Sequence, residues 1–160
     1  MRQEERSALR KGFEYRCGYC GVRERDVGAE LTLDHFQPCS KGGADESDNW
    51  VYCCHACNEF KGDFWEPESL LRILHPQRDD LGSHIVENED GALRALSASG
   101  SFHIDRLHLN RAPLVEHRLE RRLIATVRNA EARQLEEAAM LEEEAERKQA
   151  ALEELRDENP

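Results

Sequence analysis

The sequence predicts an α+β chain in three pieces: a small cysteine-rich metal module over 1–65, an α/β appendage over 66–112 and a long charged helix over 113–160. Three observations carry this. Two matched CxxC pairs, Cys17/Cys20 and Cys54/Cys57, bracket a short alternating β-prone stretch. A turn sequence, Asn88-Glu89-Asp90-Gly91, lies between two short extended runs. Residues 114–158 contain no Gly or Pro and are rich in Ala, Leu, Glu and Arg.

The elements follow in order. Arg2 to Lys11 reads as a short helix ended by Gly12, and Phe13 to Arg16 as a strand leading into the turn Cys17-Gly18-Tyr19-Cys20-Gly21. The glycines of that turn allow the backbone to aim amides at sulfur. Leu31 to Phe36 alternates and reads as a strand; Pro38 to Asn49 is a loop punctuated by Gly42-Gly43. Tyr52 to Lys61 holds the second CxxC and a short helix. Glu66 to Leu74, with Pro67 in its first turn, predicts a helix that Pro76 stops. His84–Glu87 and Ala92–Leu96 form a hairpin, and Ser101–Leu109 a short helix. His75, Asp79 and His84 are not read as a second metal site, since a turn flanked by a proline explains the first two, and Trp50 and Trp65 are read as packing residues.

From Pro113 the helix runs nearly to the end, roughly 65 Å at 1.5 Å per residue. Leu119, Leu123, Val127 and Ala130 form a narrow apolar stripe that Ala138, Leu141, Ala145, Leu152 and Leu155 continue in approximate heptads. A stripe that long exceeds what a small body buries, so either a protein partner or a second copy of the chain pairs with it or its end is a solvated single helix, and pairing is the expectation. Arg118, Arg121, Arg122 and Arg128 are expected to form a basic cluster on the same helix.

Composition narrows the function classes. Charged residues are 34% and hydrophobic ones 39%, and no apolar run is long enough to span a bilayer. The opening MRQEERSALRK lacks an apolar signal core, so a cytoplasmic location is expected. The formal net charge is −11. It is unevenly spread: residues 1–25 carry seven basic and four acidic side chains, residues 129–160 four basic and eleven acidic. A nucleic-acid surface near the N-terminus therefore stays open, because local field outweighs net charge.

Two CxxC pairs place four thiolates tetrahedrally around one ion, and zinc is the usual occupant of such a closed structural site. Cys17, Cys20, Cys54 and Cys57 are the expected ligands. Cys53 is adjacent to Cys54 but breaks the two-residue gap, and Cys39 reads as a loop thiol.

Between the knuckles run Leu33-Asp34-His35-Phe36-Gln37-Pro38, Lys41-Gly42-Gly43 and Asp48-Asn49-Trp50, and the second knuckle continues as Cys54-His55-Ala56-Cys57-Asn58-Glu59-Phe60-Lys61-Gly62. Together these strings resemble the HNH endonuclease family in its zinc-knuckle version, over about residues 13–63. The resemblance implies a ββα-metal fold, two strands and a helix clasping a catalytic divalent ion. It implies that His35 is the general base, that Asp34 and Asn58 are ligands of the catalytic ion, and that Asn49 holds the loop and orients His35. The third letter falls on Asn58 rather than a histidine. Oxygen donors of this kind favour Mg²⁺ or Mn²⁺.

The chemistry is coherent in its own terms. Phosphodiester hydrolysis needs a base for water, which a neutral imidazole supplies near pH 7, and a Lewis acid on the phosphate. Neighbouring strand residues face opposite ways, so Asp34 and His35 serve separate roles if the strand twists or ends there. The carbonyl of Asp34 or that of Phe36 is a candidate to orient the imidazole. Lys61, one helical turn beyond Asn58, is expected to contact a phosphate oxygen, with Lys41 a weaker candidate.

Residues 74–114, through Leu74-His75-Pro76, Arg78-Asp79-Asp80 and Leu107-His108-Leu109-Asn110-Arg111, look like a recurring companion of bacterial HNH proteins. The resemblance implies an α/β appendage with no chemistry of its own. The function expected is a metal-dependent DNA endonuclease, with a role in defence against foreign DNA implied by resemblance. One such site cuts one strand, and a dimer joined through the last helix would cut both. The rival is a zinc-stabilised nucleic-acid or protein-binding adaptor that does not cleave.

Overall fold

The computed structural model describes residues 2–157, with side chains described through 149. It is a mixed α+β structure dividing into two compact units, Met1–Leu119 and Glu120–Pro160.

In the first unit, α1 (Gln3–Gly12) and the single-turn α2 (Glu24–Val27) precede an antiparallel pair, β1 (Thr32–His35) and β2 (Trp50–Cys53), and then α3 (His55–Lys61). The register sets Asp34 opposite Val51 and His35 opposite Trp50. β2 is the spine of the core: Val51, Tyr52 and Cys53 are wholly buried. Tyr52 is anchored because its hydroxyl accepts from the Leu31 amide at 2.8 Å and donates to Glu24, which Arg10 of α1 grips bidentately.

Phe13–Arg16 is a turn rather than the expected strand. The Phe13 and Tyr15 amides fold back onto the Leu9 and Arg10 carbonyls, ending α1, and Glu14 and Tyr15 take left-handed conformations. Arg16 alone keeps a bridge, to Arg23.

The predicted helix over Glu66–Leu74 is likewise absent. The Leu70 carbonyl accepts from the Ser99 hydroxyl at 2.7 Å and the Leu74 amide donates to His103 Nδ1 at 3.0 Å. Backbone groups that would close helical turns are satisfied from another element.

The hairpin forms as expected, β3 (Ile85–Glu87) with β4 (Leu93–Ala95). The Asn110 side chain extends its edge, exchanging hydrogen bonds with both backbone groups of Leu93. α4 (Ala98–Arg106) starts earlier than predicted because Ser97 caps it, accepting from the Gly100 amide at 3.0 Å. Gly100 permits the helix to lie on the hairpin: a Cβ there would sit 2.0 Å from the His84 carbonyl oxygen.

α5 (Ala112–Asp157) is one continuous helix. Leu114 and Arg118 are buried in the first unit, while every side chain described from Leu119 to Gln149 is exposed. Leu119, Leu123, Val127 and Leu141 of the apolar stripe are thus on the surface. Leu152 and Leu155 lie outside the residues whose side chains are described. Arg118 departs from the expected basic stripe: it donates to the Gly91 carbonyl at 2.8 Å and to the Leu109 carbonyl, clasping the hairpin. Among the described residues no helix is long and apolar enough to cross a membrane.

Candidate active site and metal centre

The two knuckles meet. The sulfur atoms of Cys17, Cys20, Cys54 and Cys57 all lie within 4.8 Å of one another, with Cys20 and Cys54 at 3.7 Å. Neither pair is a disulfide. Sulfurs bound tetrahedrally at about 2.3 Å from one zinc ion fall at such separations. The first knuckle turns tightly, with the Gly21 amide on the Cys17 carbonyl and the Cys20 amide facing Cys17 Sγ at 3.5 Å. The second places Cys54 just before α3 and Cys57 within it. Hydrogen bonds with Cys17, Cys20 and Cys57 hold the Cys54 thiol low, while those with Cys17, Cys20 and Cys54 push Cys57 up. Four thiols this close cannot all ionise without a cation among them, so the donor set fits one zinc ion. Arg111, which the sequence reading did not single out, brings its guanidinium to 4.0 Å of Cys57 Sγ and over the Phe60 ring. Cys53 is buried in β2 and Cys39 is exposed, both outside the cluster.

On the neighbouring strand, Asp34 and His35 face opposite ways. Asp34, 8% exposed, points inward. Tyr19 donates to its Oδ2 at 2.8 Å, and Lys61 Nζ lies 3.1 Å from each oxygen. Burial pushes the Asp34 carboxyl above the usual carboxylate range, against the Lys61 ammonium and Tyr19 hydroxyl, which pull it down. Lys61, expected to contact a phosphate oxygen, is 1% exposed and also donates to the His35 carbonyl at 2.8 Å.

His35 lies on the other face, its ring against Trp50 with centroids 3.7 Å apart. Its Nε2 is 3.2 Å from Asp45 Oδ1. A carboxylate accepts, so in a neutral ring Nε2 carries the hydrogen and Nδ1 keeps its lone pair. Asp45 thus holds the imidazole, in the place where the Asp34 or Phe36 carbonyl was expected.

Asn49 fixes the loop between the strands. Its Oδ1 accepts from the Gln37 amide at 2.8 Å, and its Nδ2 donates to the Gln37 and Ala44 carbonyls at 3.0 and 2.8 Å. Gly43 is required at this closure, since a Cβ would lie 1.9 Å from the Gln37 carbonyl oxygen. Asn49 therefore sets the loop carrying Asp45, and through it the ring of His35. Asn58 is half-buried on α3, one turn before Lys61, and its backbone bonds to Cys54 and Gly62. Lys41 is exposed on the loop, its carbonyl accepting from Gln37. The geometry thus unites Asp34 with Lys61 and Tyr19, and His35 with Trp50 and Asp45. Tyr19 and Asp45 escaped the sequence reading: Tyr19 is one of the two spacer residues between Cys17 and Cys20, and Asp45 follows a glycine loop without periodicity.

Asp34 and the Asn58 amide offer the hard oxygen donors that a divalent ion takes. After Tyr19 and Lys61, the Asp34 carboxylate still has lone pairs to give, so its donor chemistry suits such an ion.

Comparison with known proteins agrees with this geometry. Residues 17–64 match the profile of the HNH endonuclease family. The chain is also similar to the Septu protein PtuA of Bacillus mycoides (strain KBAB4), at 25% identity over 142 residues covering 70% of this chain and 20% of that protein. The chain thus spans about a fifth of the length of this curated relative. No solved structure matches the chain significantly. With its ββα arrangement, clustered cysteines and Asp34-His35 pair, the 17–64 segment is an HNH domain.

Proposed function

We propose that the chain is a metal-dependent DNA endonuclease of the HNH type, hydrolysing phosphodiester bonds. The observation that carries this is the presentation of His35. Its Nε2–H is held by Asp45 and its ring by Trp50, which leaves the Nδ1 lone pair to take a proton from water. Asp45 then faces the imidazolium that forms and stabilises it. Asp34 and Asn58 would hold Mg²⁺ or Mn²⁺, which supplies Lewis-acid stabilisation of the phosphate and the leaving oxygen. Lys61 holds Asp34 and the His35 backbone in register, and a contact with a phosphate would require it to leave them. Residues 1–65 are the nuclease module, 66–112 the appendage and 113–160 the helix that meets a protein partner or a second copy. A cytoplasmic location and a role in defence against foreign DNA are the finer parts of the reading. The latter rests on the resemblance of the motifs, together with the similarity to Septu protein PtuA.

One observation favours the adaptor alternative: the Asp34 carboxylate is already matched by the Lys61 ammonium. A plasmid assay decides between the two. With zinc-loaded protein and Mg²⁺ or Mn²⁺, the wild type converts supercoiled DNA to nicked or linear product and His35→Ala does not. Equal cleavage by both proteins, or cleavage by neither, sinks the nuclease reading.

A further inference from the structure

Beside the catalytic strand lies a cavity of about 340 Å³ that the chemistry above does not use. It sits wholly within the first unit, and its volume falls in the range of about 300–1,000 Å³ usual for small-ligand pockets. Phe36, the residue after His35, forms one wall. Its ring meets Trp65 edge-on at 5.5 Å and His75 at 4.4 Å. Lys61 lines the cavity as well, which puts it one side chain from Asp34.

The polar part of the lining is built in advance. Arg72 grips Asp79 bidentately at 2.8 and 2.7 Å, and Asp79 also accepts the His75 amide at 2.7 Å. His75 is buried, and its Nδ1 accepts from the Gln77 amide at 3.2 Å. In a neutral ring that assignment leaves the hydrogen on Nε2. This Nε2 is buried and has no hydrogen-bond partner. A buried donor without an acceptor is rare enough to need a reason. On the rim, Arg78 is half exposed; its guanidinium bonds the Asp48 carbonyl and lies 3.6 Å from the exposed Asp48 carboxylate.

We propose that this cavity binds one nucleoside phosphate unit. The base lies against Trp65 and Phe36, a base acceptor meets the His75 Nε2–H, and the phosphate takes Arg78 from Asp48. Aromatic rings, one orphaned donor and one rim guanidinium match a flat heterocycle with acceptor edges and an anionic tail. Trp65, a packing residue in the sequence reading, thereby gains a stacking role. Two sources share this chemistry: a nucleotide of a strand lying near the cut, or a free mononucleotide. The proposal rests on the nucleic-acid reading of the same module but needs no cleavage.

The test reads Trp65 fluorescence in Trp50→Phe protein, zinc-loaded and without added Mg²⁺ or Mn²⁺. The probes are thymidine 5′-monophosphate, thymidine and a thymidine pentanucleotide. Saturable quenching by the monophosphate, with thymidine weaker, is the expected result. A pentanucleotide about tenfold tighter identifies a strand as the source, and equal affinity identifies a free nucleotide. His75→Phe, which keeps a buried ring and removes the donor, weakens binding about tenfold. Arg78→Gln, on the exposed rim where folding is not at stake, removes the preference for monophosphate over thymidine. Absence of saturable quenching by every probe overturns the proposal, as does Arg78→Gln binding indistinguishable from Trp50→Phe alone. Binding without plasmid cleavage would sink the nuclease reading and leave this one standing.

Discussion

The first unit contains the same small layout twice: two antiparallel strands followed by a helix. In β1–β2–α3 the helix packs on the first strand, and a loop over 36–49 separates the strands. In β3–β4–α4 the helix packs on the second strand, and the turn over 88–92 is tight. What differs is the polar group each encloses. The first buries a charged pair, Lys61 with Asp34, and is cross-linked through two knuckles. The second buries the imidazole of His103, which ties α4 to the Leu74 amide. A layout of this size is only a frame. Strand alternation presents Asp34 inward and His35 outward, and the long loop of the first copy supplies Asp45 to hold the His35 ring, which a tight turn has no residues to do.

The largest expected effect tests the cross-link. Structural zinc contributes on the order of 10 kcal/mol of apparent folding free energy in small metal modules. Strong chelation, or Cys57→Ser, is therefore expected to abolish the cooperative unfolding transition of the module, with zinc content and near-ultraviolet circular dichroism falling together. A full-height transition after zinc is removed would show that the core around Tyr52 stands alone.

This frame was legible in the sequence where spacing dictates geometry. CxxC spacing alone places two sulfurs, and the absence of Gly and Pro from 114–158 alone permits one helix. Legibility failed where the partner is distant in sequence. Leu70 and Leu74 spend their backbone groups on Ser99 and His103, 29 residues away, so local propensity over 66–74 was overruled. Arg118 resembled a surface stripe because helical periodicity names a face without naming what packs there, and Gly91 is 27 residues earlier. Lys61 and Asn58 were located by resemblance, yet only the fold shows Lys61 turned inward. Asp45 carries no sequence signal beyond the glycines that make its loop.

A smaller effect is expected at the charged pair. Lys61→Met leaves the Asp34 carboxylate buried with only Tyr19, and breaking such a pair costs about 3–5 kcal/mol. Chemical denaturation should show that loss, and the double variant Asp34→Asn/Lys61→Met should recover most of it, since two neutral groups need no counter-charge. If the double variant is as unstable as Lys61→Met, the bond to the His35 carbonyl, rather than charge balance, is the reason Lys61 is buried.

The smallest effect belongs to the second copy and depends on pH. Burial holds the His103 imidazole down to about 4, with the Arg72 charge adding to it and Asp79 opposing it. In the unfolded chain the ring titrates near its ordinary 6.5. Between these values the unfolded chain binds a proton that the folded one refuses, so stability falls as pH drops from about 6.5 toward 4 and is flat above. The full loss is roughly 3 kcal/mol from this residue. His75, held down to about 4 chiefly by burial, adds in the same direction. A zinc ion on the four cysteines would also be released in acid, because protons compete for the thiolates. His103→Gln keeps an acceptor for the Leu74 amide and cannot titrate, so subtracting its stability profile from the wild-type one removes the zinc and His75 contributions. A wild-type-minus-variant difference that falls by roughly 3 kcal/mol as pH drops through this window, measured by urea unfolding, is the expected outcome. A difference independent of pH would mean that the folded protein accepts the proton on His103 and that the bond to Leu74 is not its fixed state.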